Sequence, residues 1–341
     1  MAKIERIGII GLVHDHIWNY LDPAKTLENC RIVCAADVHA ALRERVAAEL
    51  ALGPEALYAD WRAMLEKESL DACLVFAETA LHAEATEACA ARGLHVMAEK
   101  PMARTVEEAD RMIAAARKAG TRLMINFPIM WNPDMRGLID AVLSGAIGRV
   151  WMIHYRDGHK GPRELGCSSY FCDWLYDREK NGGGALMDFC VYGASVTARI
   201  LGRPSSVYAV SGNLVKKDLA VEDNGVITAR FGQDAIAIIE GTWTQVAQGH
   251  SISFFGEKGS IASSAFGPRE YTINTPGEGA RKLAPATLPP GEDKPIPYFV
   301  KRIREDRPFE GIASAENARI AQEILGAAFA SIAADKPVAL A

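Results

Sequence analysis

The chain has 341 residues, of which 49% are hydrophobic and 24% are charged. This hydrophobic content is sufficient for the cores of about two domains. A formal net charge of −5 argues against a nucleic-acid-binding protein, because no basic face is available to neutralise phosphates. Without a signal-peptide pattern or an apolar run of bilayer length, we expect no membrane association. Seven cysteines without a CxxC pair indicate reduced thiols and a cytoplasmic protein.

The first third of the chain alternates short apolar runs with Ala- and Glu-rich stretches of helical spacing, such as "HAALRERVAAELA". This alternation predicts parallel strands that are joined by helices, in a sheet that is covered on both faces. The predicted strands are residues 5–10, 31–36, 71–76, 94–97 and 122–126.

After about residue 125 the pattern changes to longer helices and period-two strands. The alternation of apolar and polar residues predicts a mostly antiparallel sheet. The predicted strands include residues 226–231, 235–243 and 251–256, and the predicted helices are residues 133–144, 182–202 and 314–334. The charged, proline-containing "GEDKPIP" at 291–297 is predicted as a surface loop.

The segment "IERIGIIGLVHDHIW", residues 4–18, is typical of the first strand, turn and helix of a dinucleotide-binding domain. Such domains use three glycines, and Gly11 can make the first tight turn. Val13 and His16 occupy the positions of the second and third glycines. Because helix N-terminal amides attract an anion, and His14 can add a donor, we predict a glycine-poor phosphate loop. The alternative is an ordinary turn at Gly11.

Asp37 ends the second predicted strand. A carboxylate there accepts hydrogen bonds from the adenosine ribose and repels a 2′-phosphate, which favours NAD over NADP. The alternative is that Asp37 caps the next helix. His14 and His16 form an HxH pair, but no nearby cluster has the spacing of further metal ligands, so we predict no metal site.

The segment "HVMAEKPMA", residues 95–103, places Lys100 at the carboxyl edge of a parallel sheet, where such folds form their ligand crevice. Pro101 biases Lys100 towards extended geometry, which aims its side chain. A lysine there can bind a substrate oxygen. An ion pair with Glu99 is a poor alternative, because adjacent strand residues point to opposite faces.

In "NGGGALMDFCVYGASVTARILG", residues 181–202, three glycines precede an apolar helix. Asp188 and Tyr192 are four residues apart on one face, which Ser195 continues. A carboxylate and a phenol on an apolar helix are costly unless they face a cavity or a partner. The alternative is that Asp188 caps backbone amides and Tyr192 belongs to the core.

Together these segments resemble the Gfo/Idh/MocA oxidoreductases, a family of sugar dehydrogenases. "EKPMA" resembles the EKP signature and "GGGALMDFCVY" the GGG-x-L-x-D helix, and "VEDNGVITARF", "GTW" and "FFGEKGSI" follow in the family's order. The resemblance implies an α/β fold with a doubly wound Rossmann domain at 1–124. It also implies a substrate-binding and oligomerisation domain at 125–341, whose open, largely antiparallel sheet joins subunits in a homodimer or homotetramer.

The resemblance further implies a hydride transfer between nicotinamide and a hydroxyl-bearing carbon of a sugar, polyol or inositol. Lys100 corresponds to a lysine that touches substrate and nicotinamide ribose, and Asp188 to a substrate-orienting aspartate. Tyr192 stands where most members have a catalytic histidine and one branch has tyrosine. We expect it to exchange the proton after the charge of Lys100 lowers its pKa. The predicted cofactor contacts are Gly11, Val13, His14, Asp37, Thr79, His82, Glu99 and Lys100.

Some positions depart from the family pattern. Cys190 replaces a common glycine, and Ser195 replaces an aspartate that often holds sugar hydroxyls. "AET" at 77–79 replaces Thr-Pro-Asn, and the polar stretch "YRDGHKGPREL" is expected to lie over the substrate. Its residues His159 and Lys160 are either contacts to an acidic or phosphorylated group or, as we favour, part of a solvated surface loop.

Two other functional classes stay open from the sequence. One is a non-catalytic regulatory protein that binds a sugar or cofactor, which the residues Val13 and Ser195 favour. The other is a glycosidase or lyase that uses tightly held NAD to oxidise a sugar transiently.

Overall fold

The computed structural model describes residues 5–25, 27–247, 249–263 and 270–340. The outermost residues of the two predicted domains, 1–4 and 341, lie outside these ranges. None of the described helices is long and apolar enough to cross a membrane.

Within the described residues, six parallel strands form the first sheet, in the order β3-β2-β1-β4-β5-β6. The strands are β1 (Arg6–Ile10), β2 (Arg31–Ala36), β3 (Leu57–Tyr58), β4 (Ala72–Val75), β5 (His95–Glu99) and β6 (Leu123–Asn126). The helices of this part are α1 (Ile17–Lys25), α2 (Ala40–Leu50), α3 (Trp61–Lys67), α4 (His82–Ala90) and α5 (Val106–Ala119). The strand order reverses beside β1, which opens a ligand crevice at the carboxyl ends of β1 and β4.

Nine strands form the second sheet in the described chain, in the order β14-β13-β12-β11-β7-β10-β9-β8-β15. The strands are β7 (Val150–Gly158), β8 (Ser206–Gly212), β9 (Asn224–Phe231), β10 (Ala235–Thr242), β11 (Gly249–Gly256), β12 (Gly259–Ser263), β13 (Tyr271–Thr275), β14 (Gly279–Lys282) and β15 (Val338–Ala339). Of the described strand pairs in this sheet, β7 with β10 is the parallel one and the others are antiparallel.

Seven further helices accompany the second sheet in the described ranges. They are α6 (Pro133–Leu143), α7 (Pro162–Leu165), α8 (Ser169–Leu175), α9 (Arg178–Asn181), α10 (Ala185–Leu201), α11 (Pro295–Arg304) and α12 (Ala315–Ala334). Helix α10 packs on β10, β9 and β7, and α12 packs on both α10 and α5. A Cβ at Gly193 of α10 would lie 2.5 Å from Ile239 and 2.8 Å from Tyr155, so glycine permits the close approach of this helix to the sheet. Helix α12 thus connects the second sheet to the first through its contacts with α10 and α5.

The predicted fold class is confirmed, with a parallel first sheet and a mixed, mostly antiparallel second sheet. Short continuous apolar runs identify the buried parallel strands, because both faces of that sheet are covered. The prediction of a surface loop at 291–297 is wrong for its last residues, since α11 begins at Pro295. Proline is well suited to the first turn of a helix, whose N–H groups need no helical partner.

We predict that Gly11→Ala destabilises the protein more than Gly93→Ala does. Both glycines have left-handed backbone, with φ of +80° and +75°, and alanine in that region costs about 1–2 kcal/mol. A Cβ at Gly11 would also lie 2.4 Å from the Ala77 Cα, whereas one at Gly93 meets nothing within 4 Å. Urea unfolding of the two variants measures the difference, and equal losses of stability would contradict the argument.

Candidate active site at the carboxyl edge of the parallel sheet

The carboxylate of Asp37 organises the turn after β1. Its Oδ2 accepts a hydrogen bond from the Leu12 N–H at 2.6 Å, and its Oδ1 accepts from the His39 N–H at 2.8 Å. Asp37 does not cap α2 itself, because the N-cap residue is His39 and no side-chain cap is formed there. Each carboxylate oxygen retains acceptor capacity, so the contact with a ribose stays a prediction.

The loop between β1 and α1 has the donors that an anion needs. The N–H groups of Val13 and Asp15 donate no hydrogen bond to another residue in the described ranges, whereas the His14 N–H donates to the Phe76 carbonyl at 3.1 Å. Two unengaged amides before a helix N-terminus suit a pyrophosphate without any further glycine. The loop thus fits a dinucleotide through its backbone.

The side chain of His14 does not face this anion site. It is buried, and its ring contacts Phe171 and Trp174 of α8, with centroids 5.0 and 5.5 Å away. Burial lowers its pKa well below the usual range, and the neighbouring His16 and Lys100 lower it further. His14 is therefore a neutral packing residue, and its predicted role as a donor to the cofactor is not supported.

Glu99 is fully buried behind the loop. Its Oε2 lies 3.1 Å from His16 Nδ1 and accepts from the Lys100 N–H at 3.2 Å, while its Oε1 accepts from Asn126. No atom of Glu99 is exposed for a direct cofactor contact. His16, in the place of the third glycine, reaches the cavity described below, as Lys100 does.

Candidate ligand atoms of His14, His16 and Glu99 lie within 4.8 Å of one another, a spacing that the sequence did not reveal. The His16 N–H, however, points to His14 Nδ1 at 3.3 Å. That contact leaves the proton of neutral His14 on Nε2, which lies 3.9 Å from Glu99 Oε2. The group is arranged as a hydrogen-bonded cluster, and the absence of a metal stays a prediction.

The three residues predicted to be catalytic converge on one cavity of about 440 Å³. Lys100 Nζ lies 2.5 Å from Asp188 Oδ1 and 4.8 Å from the centroid of the Tyr192 ring. Lys100 follows β5 of the first sheet, and the other two residues lie one turn apart on α10. The cavity is therefore built from both sheets.

Asp188 is an ionised carboxylate held at both oxygens. Its Oδ2 accepts a hydrogen bond from the Trp243 indole N–H at 3.0 Å, opposite the bond from Lys100 to Oδ1. Burial raises the pKa of Asp188, but the charge and hydrogen bond of Lys100 outweigh it and hold the pKa below its usual range. Asp188 thus fixes the position of the lysine ammonium.

His159 lines the same cavity, which the interpretation as a solvated loop missed. It follows the end of β7, and its Nδ1 accepts a hydrogen bond from the Gly161 N–H at 2.9 Å. Burial lowers the pKa of His159, which keeps the ring neutral with its proton on Nε2. Lys160 is exposed as expected. The available signal was a polar residue immediately after a buried strand.

Thr79 and His82 lie behind the cavity as supports. Thr79 Oγ donates to Asn181 Oδ1 at 2.9 Å. The ring of His82 is fully buried, with Nε2 3.2 Å from the Ala77 carbonyl oxygen and Nδ1 3.1 Å from the Pro101 carbonyl oxygen. Burial lowers the pKa of His82, so the neutral ring donates to one of these two oxygens. Both residues were predicted to contact the cofactor, but their polar atoms are engaged by the protein and their side chains are covered.

Ser195 does not line the cavity either. It is fully buried, and its Oγ donates to the Tyr192 carbonyl at 2.8 Å. Where the family often has a sugar-binding aspartate, this chain has a residue that bonds within the helix. Asp157, at the end of β7, is a carboxylate that does line the cavity.

Comparison with known proteins agrees with this architecture. Residues 5–127 match the family model "Oxidoreductase family, NAD-binding Rossmann fold", and residues 135–262 match "GFO/IDH/MocA C-terminal domain". Myo-inositol 2-dehydrogenase of Thermotoga maritima is 27% identical over 79% of this chain and 77% of that protein.

Two further relatives extend the comparison. The dTDP-3,4-didehydro-2,6-dideoxy-alpha-D-glucose 3-reductase of Actinomadura kijaniata is 31% identical over 67% of this chain and 66% of that protein. The structure of aldose-aldose oxidoreductase from Caulobacter crescentus has the same fold, with a TM-score of 0.82 at 22% identity over 99% of this chain and 100% of that one. The chain therefore belongs to the GFO/IDH/MocA oxidoreductase family, whose N-terminal domain is an NAD-binding Rossmann fold.

Proposed function

We propose that the chain is an NAD-dependent dehydrogenase that acts on a hydroxyl-bearing carbon of a sugar, polyol or inositol. The convergence of Lys100, Asp188 and Tyr192 in one cavity, at the carboxyl edge of the parallel sheet, carries this proposal. The names of the relatives, an inositol dehydrogenase and a reductase of a deoxysugar nucleotide, support a carbohydrate substrate.

The cofactor would be held mainly by backbone groups. The N–H groups of Val13 and Asp15 would bind its pyrophosphate, and Asp37 would accept from the adenosine ribose and disfavour a 2′-phosphate. When bound, NAD supplies the hydride acceptor of the reaction.

The residues of the cavity bind and orient the substrate hydroxyl. The ammonium of Lys100, fixed by Asp188, donates to the substrate oxygen and stabilises the negative charge that develops there. The Nε2–H of neutral His159 adds a second donor from the opposite strand end. Tyr192 stays the proposed proton-exchanging group, since its ring adjoins the lysine charge.

We predict that Lys100→Met lowers kcat by at least about a hundredfold, because it removes both the positioned donor and the charge. The measurement is NADH formation with a panel of polyols and sugars, with circular dichroism as a check of folding. Lys160→Met, at an exposed lysine of the 155–165 loop, is the matched control and keeps wild-type turnover.

The same assay separates the alternatives. Wild-type-like turnover in Lys100→Met would overturn the assignment of the lysine. Cleavage of a glycoside without net NADH would identify the lyase class, and NAD binding without turnover on any substrate would identify the regulatory class.

We predict an acidic limb in the pH profile that depends on His159. Its lowered pKa means that the ring is neutral above pH about 6.5 and gains a proton only as the pH falls further. Protonation places a second positive charge beside Lys100 and breaks the hydrogen bond from Gly161, so kcat/KM falls below that pH. The variant His159→Gln should have lower activity with no such limb, and an unchanged limb would exclude this residue.

The second sheet supports a proposal of self-association. Its open face carries exposed apolar side chains from several strands, including Trp151, Tyr208, Val210 and Ile236. Apolar patches of this kind mark interfaces, and we propose a homodimer or homotetramer joined through this face.

The free thiols of all seven cysteines support the proposed cytoplasmic location.

We predict that Trp151→Glu, which places a charge at this interface, reduces the mass of the particle measured by light scattering. Val215→Glu is the matched control, because Val215 is also apolar and exposed but lies in the turn after β8. A monomeric wild-type protein would refute the proposed assembly.

A further inference from the structure

A second cavity, of about 290 Å³, lies on the far side of the short segment Pro128–Trp131 from the catalytic cavity. Pro128 and Ile129 line the catalytic cavity, whereas Met130 lines the second one. The walls come from α6, the end of α10, α11 and the segment that follows α11. Four arginines face it, namely Arg136, Arg199, Arg302 and Arg307; we call it the arginine cavity.

Two of these arginines have buried N–H groups without an acceptor. Arg302 is 3% exposed, and its Nη2 pairs with Glu310 at 2.7 Å, but its Nε has no hydrogen-bond partner. Arg136 Nη1 is likewise buried and unpaired. Leaving charged donors unsatisfied inside a protein is costly. Both guanidinium groups line the cavity, so an acceptor that enters it would come close to these donors.

The cavity is lined by four arginines and by three carboxylates, Asp140, Glu292 and Glu310, so its positive charges outnumber its negative ones. Neither Arg136 nor Arg199 forms an ion pair with a residue in the described ranges, whereas Glu310 is engaged by Arg302. Glu292 is held by Lys301, with Nζ 2.7 Å from Oε1, and this pairing lowers its pKa. Glu292 also interacts electrostatically with Arg136, and the cavity lining keeps a net positive charge on a protein whose net charge is −5.

We propose that the arginine cavity binds a small oxyanion, the phosphate or carboxylate group of a metabolite. The guanidinium fork matches the paired oxygens of both groups, and two or more arginines can bind one such group together. Asp140 and Glu310, which also line the cavity, can accept hydrogen bonds from hydroxyl or ammonium groups elsewhere on the same ligand. The site is separate from the anion-binding loop after β1.

The test titrates inorganic phosphate into the wild-type chain by calorimetry, at an ionic strength held constant with sodium chloride and in the presence of saturating NAD. NAD occupies the phosphate loop, so the remaining phosphate binding reports on other sites. A parallel titration with citrate tests whether the arginine cavity binds carboxylate groups. We expect saturable binding of one or both anions and a rise of the melting temperature that chloride does not reproduce.

Two variants assign the binding to the cavity. Arg136→Gln and Arg199→Gln each remove a guanidinium without breaking an ion pair, and each should weaken the binding by about tenfold or more. Arg281→Gln, at an exposed arginine of β14 near Glu278, is the control and should bind as the wild type does. Absence of saturable binding of either anion, or equal affinity in the cavity variants and the wild type, would overturn the proposal.

Discussion

The buried ion pair between Lys100 and Asp188 is the interaction on which the candidate site depends. The lysine follows a strand of the first sheet, and the aspartate lies on the helix that covers the second sheet. Two charges removed from water are tolerated only when their geometry and remaining hydrogen bonds are good, and Trp243 supplies one of those bonds. The pair therefore fixes the relative position of the two sheets at the cavity, as well as the direction of the lysine ammonium.

The packing around this pair explains why both charges stay in place. Gly193 lets α10 lie directly on Tyr155 of β7, so the helix cannot move closer or rotate freely. Helix α12 packs on α10 and on α5, which flanks the first sheet. The aligned turn of α10 then presents Asp188 and Tyr192 to the same cavity. Catalytic geometry is thus a consequence of helix packing that a single glycine and a long C-terminal helix maintain.

The fold could be predicted from the sequence because the parallel strands are continuous apolar runs and the antiparallel strands alternate. Lys100 and Asp188 could be selected separately, but only the tertiary structure brings together two residues that are 88 positions apart. His159 was undervalued because a polar loop is usually solvated, although this loop was expected to lie over the substrate and His159 directly follows the buried end of β7. The arginine cavity draws its residues from three separated segments of the chain, so no local spacing could indicate it.

Two polar residues that the sequence selected as contacts, His82 and Thr79, and the noted departure Ser195 lie behind the residues that line the cavity. His82 Nδ1 lies 3.1 Å from the carbonyl oxygen of Pro101, next to Lys100. Thr79 bonds to Asn181, whose side-chain amide donates to the Gly183 carbonyl at 2.8 Å in the glycine run before α10. Ser195 bonds to the backbone of Tyr192. A polar residue that is buried but fully bonded stabilises a conformation instead of binding a ligand, so the same motifs that mark a site in the sequence also contain the residues that keep it rigid.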